Sequence, residues 1–514
     1  IKVLKARRDD MMRYAREHYL FLSKEVVLTG SDKDELFEVN RLNDDSTSVS
    51  VYKLGKDGDK QQLIYNRIFL TSETEEIRLY GLSGRDQYRL EGKVKEGIKV
   101  IVLGGRKKDL VYDNSSVSGW SKKTVVYDKS VEVNESSETR VVLADDNEEY
   151  EYNRKSFKYD VLMPQLSFQI NPDDGLFLGA GFIYTKNNWR KKRYAARHDF
   201  LVNAAFATGS YSIDYNGSFT EVLGDWGVEL EAINQTPYFV NNFFGLGNDT
   251  SFDFEGEGDA SGFDNPIQFY RIRTDRNHYS ASLFRNFGTQ SKFSFGPLLR
   301  TATVDDDDNN FLLTPESNIN TEKVSRPHSY LGGQFNILLD SRDNQVLTLS
   351  GTKLEFGARH LRGLNERSEN FTVITGNFSM FFTPRATNFT FATRTGFQHV
   401  IGEFEFFNAA TLGGRTNLRG FRRTRFYGET AFYNNIDLRL KLFSFRSYLF
   451  PAKVGIMAFH DVGRVWIDSE ESDTWHRSIG FGLWMAPANA VIISLNYGIT
   501  EEENLPSVTF GFLF

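Results

Sequence analysis

The sequence predicts an all-β membrane protein: a 16-stranded antiparallel transmembrane β-barrel over residues 161–514, preceded by a small β-rich domain and an N-terminal helix. Three observations predict it. From Val161 onward the chain runs in aromatic-rich segments that alternate apolar with polar residues, and about 16 of them can be counted. The turns between them come in short and long forms, as a barrel crossing a bilayer requires. The last segment places Val508, Phe510, Phe512 and Phe514 on one expected face, an aromatic strand that a soluble β array does not need.

Composition bounds the rest. At 514 residues the chain has room for more than one domain. A net charge of -7 supplies no basic field for nucleic acid. The absence of cysteine excludes disulfides, thiolate metal sites and cysteine catalysis. No run of 18 apolar residues exists, so no transmembrane helix is expected. A mean hydropathy of -0.42 is compatible with a barrel, because only alternate residues face lipid. The chain opens on Ile1 without a leader peptide, and is expected to be a processed or trimmed piece of a longer precursor.

In the first third, Arg7, Arg8, Asp9, Asp10, Arg13, Arg16 and Glu17 interleave with Met11, Met12, Tyr14, Tyr19 and Leu22. They predict a helix over residues 5–28, ended by Gly30-Ser31, so the helical region is set at residues 1–29. Residues 30–160 are expected to form a β-rich domain and linker. Strand candidates are residues 37–39, 48–54, 62–70, 76–81 and 99–103, with Gly55-Lys56-Asp57-Gly58 as a hairpin turn. Ile77-Arg78-Leu79-Tyr80-Gly81 followed by Gly84-Arg85-Asp86 returns about 21 residues later as Ile98-Lys99-Val100 followed by Gly104-Gly105-Arg106 and Asp109. That spacing suits stacked β rungs or a small sheet. Calcium would need several acidic oxygens per turn, and Arg85, Arg106, Lys107 and Lys108 stand in their place, which favours structural turns. Residues 113–156 are polar and read as a linker with short strands near 124–127 and 140–143.

Barrel strands are expected to start at Val161, Leu176, His198, Ser210, Gly227, Ile267, Ser291, Tyr330, Thr348, Asn370, Asn388, Ala431, Lys453, Arg477, Ala490 and Ser507. Alternation sets their faces. Ile436, Leu438, Leu440 and Leu442 oppose Asn435, Asp437, Arg439 and Lys441, and a basic residue held in lipid costs roughly 2–4 kcal/mol at the midplane. The charged set must therefore face the lumen. Ile493, Leu495, Tyr497 and Ile499 likewise oppose Ser494, Asn496 and Gly498. Pro172-Asp173-Asp174-Gly175 and Asp340-Ser341-Arg342-Asp343-Asn344 are read as short periplasmic turns, and residues 238–266 and 304–328 as long extracellular loops.

The candidate site lies in the long glycine- and arginine-rich loop at 402–430, in Asn417-Leu418-Arg419-Gly420-Phe421. A fixed arginine needs an anionic partner. Asp437 and Asp461, on the two strands that follow, are the candidates; a solvated arginine in an outer loop is the alternative. Phe459, Asp461 and Gly463 share a face. Gly420 permits close approach of the backbone to the wall, and Gly463 and Gly413-Gly414 leave space. The seam between the first and last strands is the second feature. Pro164 removes a backbone donor from the first strand, or marks only its beginning, and Pro506 precedes a short last strand.

Other chemistry is sparse. His18, His198, His278, His328, His360, His399, His460 and His476 show no zinc-protease spacing. No nucleophile elbow or P-loop occurs, so no catalytic residue, metal or cofactor is expected. Asp305-Asp306-Asp307-Asp308 reads as a solvated acidic loop, with a site for a divalent cation as the alternative. Arg190-Lys191-Lys192-Arg193 reads either as a solvated loop or as a patch for anionic lipid head groups.

Four motifs, in order, resemble the carboxy-terminal barrel of the BamA, TamA and FhaC superfamily, also termed outer membrane protein eighty-five or bacterial surface antigen. Leu418-Arg419-Gly420-Phe421 is similar to its loop-six Val-Arg-Gly-Phe/Tyr motif, with Leu for Val. Phe459-His460-Asp461-Val462-Gly463 resembles the Phe-x-Asp-x-Gly motif of strand thirteen. Asn435-Ile436-Asp437-Leu438-Arg439 resembles strand twelve, where the family often has Glu at the position of Asp437. Asp340-Ser341-Arg342-Asp343-Asn344 followed by Gly351 resembles the hairpin of strands eight and nine. The resemblance implies that loop six folds into the lumen and that its arginine pairs with wall carboxylates, Asp461 first and Asp437 second. It also implies a seam able to open as a lateral gate, and Phe510, Phe512 and Phe514 resemble the terminal signal of client barrels. The usual periplasmic repeat of the family has two helices that residues 30–150 lack.

The implied role is insertion or translocation of proteins, or lipids, at the bacterial outer membrane, with the N-terminal region in the periplasm. Outer-membrane lipid and other outer-membrane or periplasmic proteins would be its partners. The competing role is that of a membrane anchor or scaffold subunit in a larger complex. Residues 37–43, 77–82 and 97–100 loosely resemble the segment that joins a calcineurin-like phosphoesterase to such a barrel in Bacteroidota, which adds a third possibility: the membrane half of a fused enzyme. No phosphoesterase metal motif is present.

Overall fold

A computed structural model describes the chain except for residues 1, 106, 120–121, 129–130, 135–137, 144–151, 156–157, 172–174, 189–190, 192, 207–208, 253–265, 289 and 306–310. It divides into two compact units, Ile1–Phe157 and Lys158–Phe514.

The first unit opens with helix α1 (Lys2–Ser23). The helix stops earlier than its sequence predicts. Ser23 turns its hydroxyl onto the Leu20 carbonyl, and Glu25–Thr29 forms strand β1 against the later Glu76–Leu82. The β-branched Val26-Val27 pair favours that extended pairing over another helical turn. The expectation of helix through residue 29 is thereby corrected.

Strands β2 (Glu35–Asn43), β3 (Ser46–Leu54) and β4 (Lys60–Leu70) follow as an antiparallel meander, turning at Gly55 and Gly58. The chain then coils. Strands β5 (Glu76–Leu82), β6 (Gln87–Glu91) and β7 (Lys93–Val94) make one rung; β8 (Lys99–Gly105), β9 (Leu110–Asp113) and β10 (Ser116–Val117) make the next. Strands β11 (Thr124–Asp128), β12 (Glu132–Val133) and β13 (Thr139–Leu143) continue the stack. All stacked pairs are parallel: β1-β5-β8-β11-β13 on one face, β2-β6-β9-β12 on a second, β7-β10 on a third. This is a short parallel β-helix whose first full rungs repeat every 23 residues, as between Asp86 and Asp109. The stretch 113–143, polar in sequence, belongs to this stack. Of its buried apolar residues Val126 joins the core of the stack, and Val117 stands eight residues before the Val125-Val126 pair, so the sequence shows no long apolar run.

The glycine-aspartate corners are hydrogen-bonded turns. Asp86 Oδ1 accepts from the Glu35 N–H at 2.8 Å, and Asp109 Oδ1 accepts from the Asp86 N–H at 2.8 Å. Burial pushes Asp86 up to about 9 and Asp109 up to about 7.

The second unit is a closed barrel of 16 strands, each antiparallel to its neighbours. In order they are β14 (Val161–Asn171), β15 (Gly175–Lys186), β16 (Ala196–Ala205), β17 (Tyr211–Leu223), β18 (Trp226–Asn242), β19 (Arg271–Phe287), β20 (Ser291–Val304), β21 (His328–Asp340), β22 (Gly351–Gly363), β23 (Phe371–Phe382) and β24 (Phe389–Gly402). A small hairpin, β25 (Ala410–Leu412) and β26 (Phe426–Gly428), interrupts them. The wall resumes with β27 (Thr430–Arg446), β28 (Pro451–Trp466), β29 (His476–Pro487), β30 (Ile493–Ile499) and β31 (Asn504–Phe510). Among the described residues no helix is long and apolar enough to cross a membrane.

Alternation assigns the faces. Asn435 and Asp437 are buried in the lumen, while Leu438, Leu440 and Leu442 lie on the outer surface. Ser494 faces in and Leu495 and Tyr497 face out. Several expectations shift. Residues 266–270 form a 3-10 turn, so the sixth wall strand starts at Arg271 rather than Ile267. The strand expected from Thr348 starts at Gly351, because Asn344 Oδ1 and Asp343 Oδ1 accept from the N–H groups of Val346, Leu347, Leu349 and Ser350 and hold a turn. That expected from Ala490 starts at Ile493. Pro506 lies inside β31, paired with Tyr497.

Strand order also decides which end each turn occupies. The turn between β14 and β15 follows an odd strand, as do the long loops at 243–270, 305–327 and 403–429. The paired ends Asn171 of β14 and Gly175 of β15 therefore lie at the long-loop end, opposite the turn at 341–350, and residues 172–174 lie outside the described residues. The periplasmic placement is thereby corrected at Gly175, since strand parity and not turn length sets the end. The interior of the long-loop end is filled by an apolar core that includes Phe243, Tyr330, Phe371, Phe406, Leu412 and Leu418.

The in-folded loop and its arginine network

The loop after β24 runs inward, not outward. Phe406, Phe407, Leu412, Leu418, Phe421, Phe426 and Tyr427 are all buried within the barrel. Burying this many aromatic and aliphatic side chains, each contributing roughly 1.5–3 kcal/mol, holds the loop in the lumen. Asn417 closes its tip: Oδ1 accepts from the Gly413 N–H at 2.9 Å and Nδ2 donates to the Thr411 carbonyl at 2.9 Å. Gly420, at φ +88°, then turns the backbone against the wall. A Cβ on Gly498 of β30 would stand 2.6 Å from the Gly420 Cα, so two glycines meet where tip and wall touch. Gly463 leaves space for Leu412 of β25, and Gly413 for the backbone of Arg422 and Arg425 within the loop itself.

Arg419 sits at the centre. Its Nε donates to Asp461 Oδ2 at 2.8 Å and its Nη2 to Asp461 Oδ1 at 2.6 Å. Its backbone N–H adds a third bond to Asp461 Oδ2 at 3.0 Å. Nη2 also reaches Asp437 Oδ1 at 2.8 Å. The guanidinium lies 3.8 Å from the centroid of the Phe459 ring. Both aspartates are fully buried, so two desolvated carboxylates face one planar cation whose fork matches them.

The network extends past Arg419 to Arg439, which the alternation places in the lumen without assigning it a partner, and to the terminal Phe512 and Phe514. Asp437 Oδ2 accepts from Arg439 Nη2 at 2.7 Å, and that nitrogen also donates to the Phe514 carbonyl at 3.1 Å. Arg439 stacks on Phe512 at 3.8 Å. Thus Phe512 and Phe514 do not share an outer face with Phe510. Gly511, at φ +104°, ends the strand, leaving Phe510 outward and half exposed while Phe512 packs on Trp484. The expectation of one common face for the three is corrected: β31 is too short to carry the alternation further.

Two more arginines tie the loop to the hairpin between β30 and β31. Arg422 takes Glu503 in a two-pronged pair at 2.6 and 2.8 Å, and Arg425 takes Glu502 at 2.6 Å. Arg415 Nη1 donates to the Val508 carbonyl of β31 at 2.9 Å. The run Glu501-Glu502-Glu503, facing an arginine-rich loop, was the signal that could have identified these partners.

At the seam, β14 pairs with β31 through Ile170 and Val508, whereas on its other side β14 pairs with β15 from Val161 opposite Thr185 to Asn171 opposite Gly175. Pro164 lies in the part of β14 that has no β31 partner, opposite Phe182 of β15. Phe168 and Phe510 meet edge to face across the seam, centroids 6.3 Å apart. A cavity of about 460 Å³ lies inside, lined by Ser167 of β14, Ser507 of β31, and Arg419 and Gly420 of the loop tip.

The remaining candidates lie apart from this network. Lys191 and Arg193 bind backbone carbonyls at 220–221 and 288, and Arg190 and Lys192 lie outside the described residues. So do Asp306, Asp307 and Asp308.

The Omp85 superfamily domain matches residues 184–513. Among solved structures, the chain resembles BamA from Haemophilus ducreyi lacking POTRA domains 1–3, with a TM-score of 0.50 and 11% identity over 69% of this chain and 70% of that one. It also matches CdiB from Acinetobacter baumannii, with a TM-score of 0.41 and 13% identity over 69% of this chain and 59% of that one. No curated protein matches the sequence. With its 16-stranded barrel and the domain match across the last fourteen of the strands, the chain belongs to the Omp85 superfamily and is a bacterial outer-membrane protein with a periplasmic N-terminal domain.

Proposed function

We propose that this protein assists insertion or translocation of proteins, or lipids, at the outer membrane, opening its wall between β14 and β31. One observation carries the reading: among the described residues the barrel closes through Ile170 and Val508, next to a lumen cavity that both seam strands line. A strand edge with unpaired N–H and C=O groups is a template for another strand. Loop six acts as the latch. Arg419 anchors it to β27 and β28, and Arg415, Arg422 and Arg425 hold the β31 side of the seam. The partners are outer-membrane lipid and other outer-membrane or periplasmic proteins.

A second reading, membrane anchor or scaffold of a larger complex, is favoured by the N-terminal unit. A β-helix of stacked rungs presents edges and flat faces suited to docking, and it stands where the family usually carries helix-containing repeats. Reconstitution separates the two. The protein in liposomes is expected to speed the folding of an added barrel client severalfold over empty liposomes. An unchanged folding rate sinks the insertion reading and leaves the scaffold.

A further inference from the structure

Arginines elsewhere in the barrel interior find acceptors: Arg419 and Arg439 on aspartates, Arg422 and Arg425 on glutamates, Arg394 on Asn435. Among the described residues three others do not. Arg276 of β19, Arg300 of β20 and Arg359 of β22 share the lumen face with buried Thr274, Ala302 and Leu361, respectively. The registers Arg276 opposite Ala302, Arg300 opposite Tyr330 and Arg359 opposite Gln334 set them on a descending diagonal across four adjacent strands. Arg300 is within charge–charge range of both Arg276 and Arg359. The Nε atoms of Arg276 and Arg359 are buried without a hydrogen-bond partner, and none of the three guanidiniums has an ion pair among the described residues. Above the row sits the apolar core containing Ile272, Ala302, Tyr330 and Leu361. Beside it opens a polar cavity of about 410 Å³, lined by Arg359, Gln334 and Asn336 and also by Glu231 and Glu229, which are paired with His278 and Lys292.

Like charges packed together in a partly desolvated wall are unfavourable unless an anion joins them. We propose that this row is a binding site for a phosphate group. A carboxylate would cancel one of three charges. A phosphate monoester carries about -1.5 to -2 and three acceptor oxygens, which suits Arg300 together with the guanidinium on either side of it. The group can arrive as inorganic phosphate through the aqueous lumen or as the head group of a lipid.

The test uses the full-length protein in detergent, titrated with inorganic phosphate against chloride at constant ionic strength, following the unfolding midpoint. Phosphate is expected to raise the midpoint saturably. Arg300→Gln should weaken apparent affinity about tenfold, the loss of one charged contact, and the triple variant Arg276→Gln, Arg300→Gln, Arg359→Gln should abolish the shift. In phosphate-free buffer the triple variant is expected to melt at or above the parent, because it removes uncompensated like charges. If it melts well below, the arginines are packing elements and the proposal fails. Reconstitution into phosphatidylcholine vesicles with and without phosphatidic acid identifies the source: stabilisation only with phosphatidic acid marks a lipid head group, stabilisation by inorganic phosphate a soluble ligand. No stabilisation by either overturns the site. A glutamate-rich peptide that matches or exceeds phosphate overturns the assignment to phosphate.

Discussion

Arg419 shows how much one buried cation can hold. Asp461 receives three hydrogen bonds from it, whereas Asp437 divides its oxygens between Arg419 and Arg439. Removing Arg419 leaves Asp461 buried without a cation, so Arg419→Ala is expected to cost about 3–5 kcal/mol. Arg419→Lys should recover less than half, since an ammonium cannot serve two carboxylates through a planar fork. Heat-modified mobility on gels, measured as an unfolding midpoint, checks both; a Lys variant as stable as the parent would count against a fork-specific lock. These partners were legible in the sequence because alternation fixes which side chains enter the lumen, and Asp437 and Asp461 lie on adjacent strands. Glu502 and Glu503 were not, since their pairing with Arg425 and Arg422 depends on how deep the loop descends.

At the scale of elements, two contacts invite tests. The loop tip touches β30 glycine to glycine, so Gly498→Val would drive a side chain into the Gly420 backbone. It should lower the unfolding midpoint by as much as Arg419→Ala, and show no added loss when the two are combined, because both release one tip. Full additivity would mean that tip and arginine act separately. In the β-helix, Asp86 and Asp109 carry proton affinities raised by burial to about 9 and about 7. A carboxylate raised on folding stabilises fully below its unfolded value, and that stability is lost as pH rises through the folded value. Hydrogen-exchange protection of the rungs, corrected for intrinsic rates, should therefore fall from about pH 4 to about pH 9. Asp86→Asn should flatten much of that slope. The turn at Ser23 and strand β1 escaped prediction because the helical pattern in residues 5–22 carried over into a segment whose partner lies about fifty residues away.

For the whole molecule, the proposed gate is a relation between the first and last barrel strands. The chain has no cysteine, so Ile170→Cys with Val508→Cys creates the only possible disulfide, at an antiparallel pair whose Cα separation suits one. Oxidation is expected to abolish client folding and reduction to restore it; unchanged activity in the oxidised form would remove the gate. By itself the sequence determined the barrel, its strand number and the faces of β27 and β30, because lipid penalises a misplaced charge at every second residue. It also marked the loop with Arg419 and its two aspartates. Only the tertiary structure decided where that loop ends its descent, that Gly498 and the Glu502-Glu503 hairpin receive it, that Phe512 and Phe514 turn inward onto Arg439, and that Arg276, Arg300 and Arg359 line one wall with no ion pair among the described residues. The physical reason is range: alternation is a local rule enforced by the solvent on each side of a strand, whereas those contacts join residues that only closure of the barrel brings within a few ångströms.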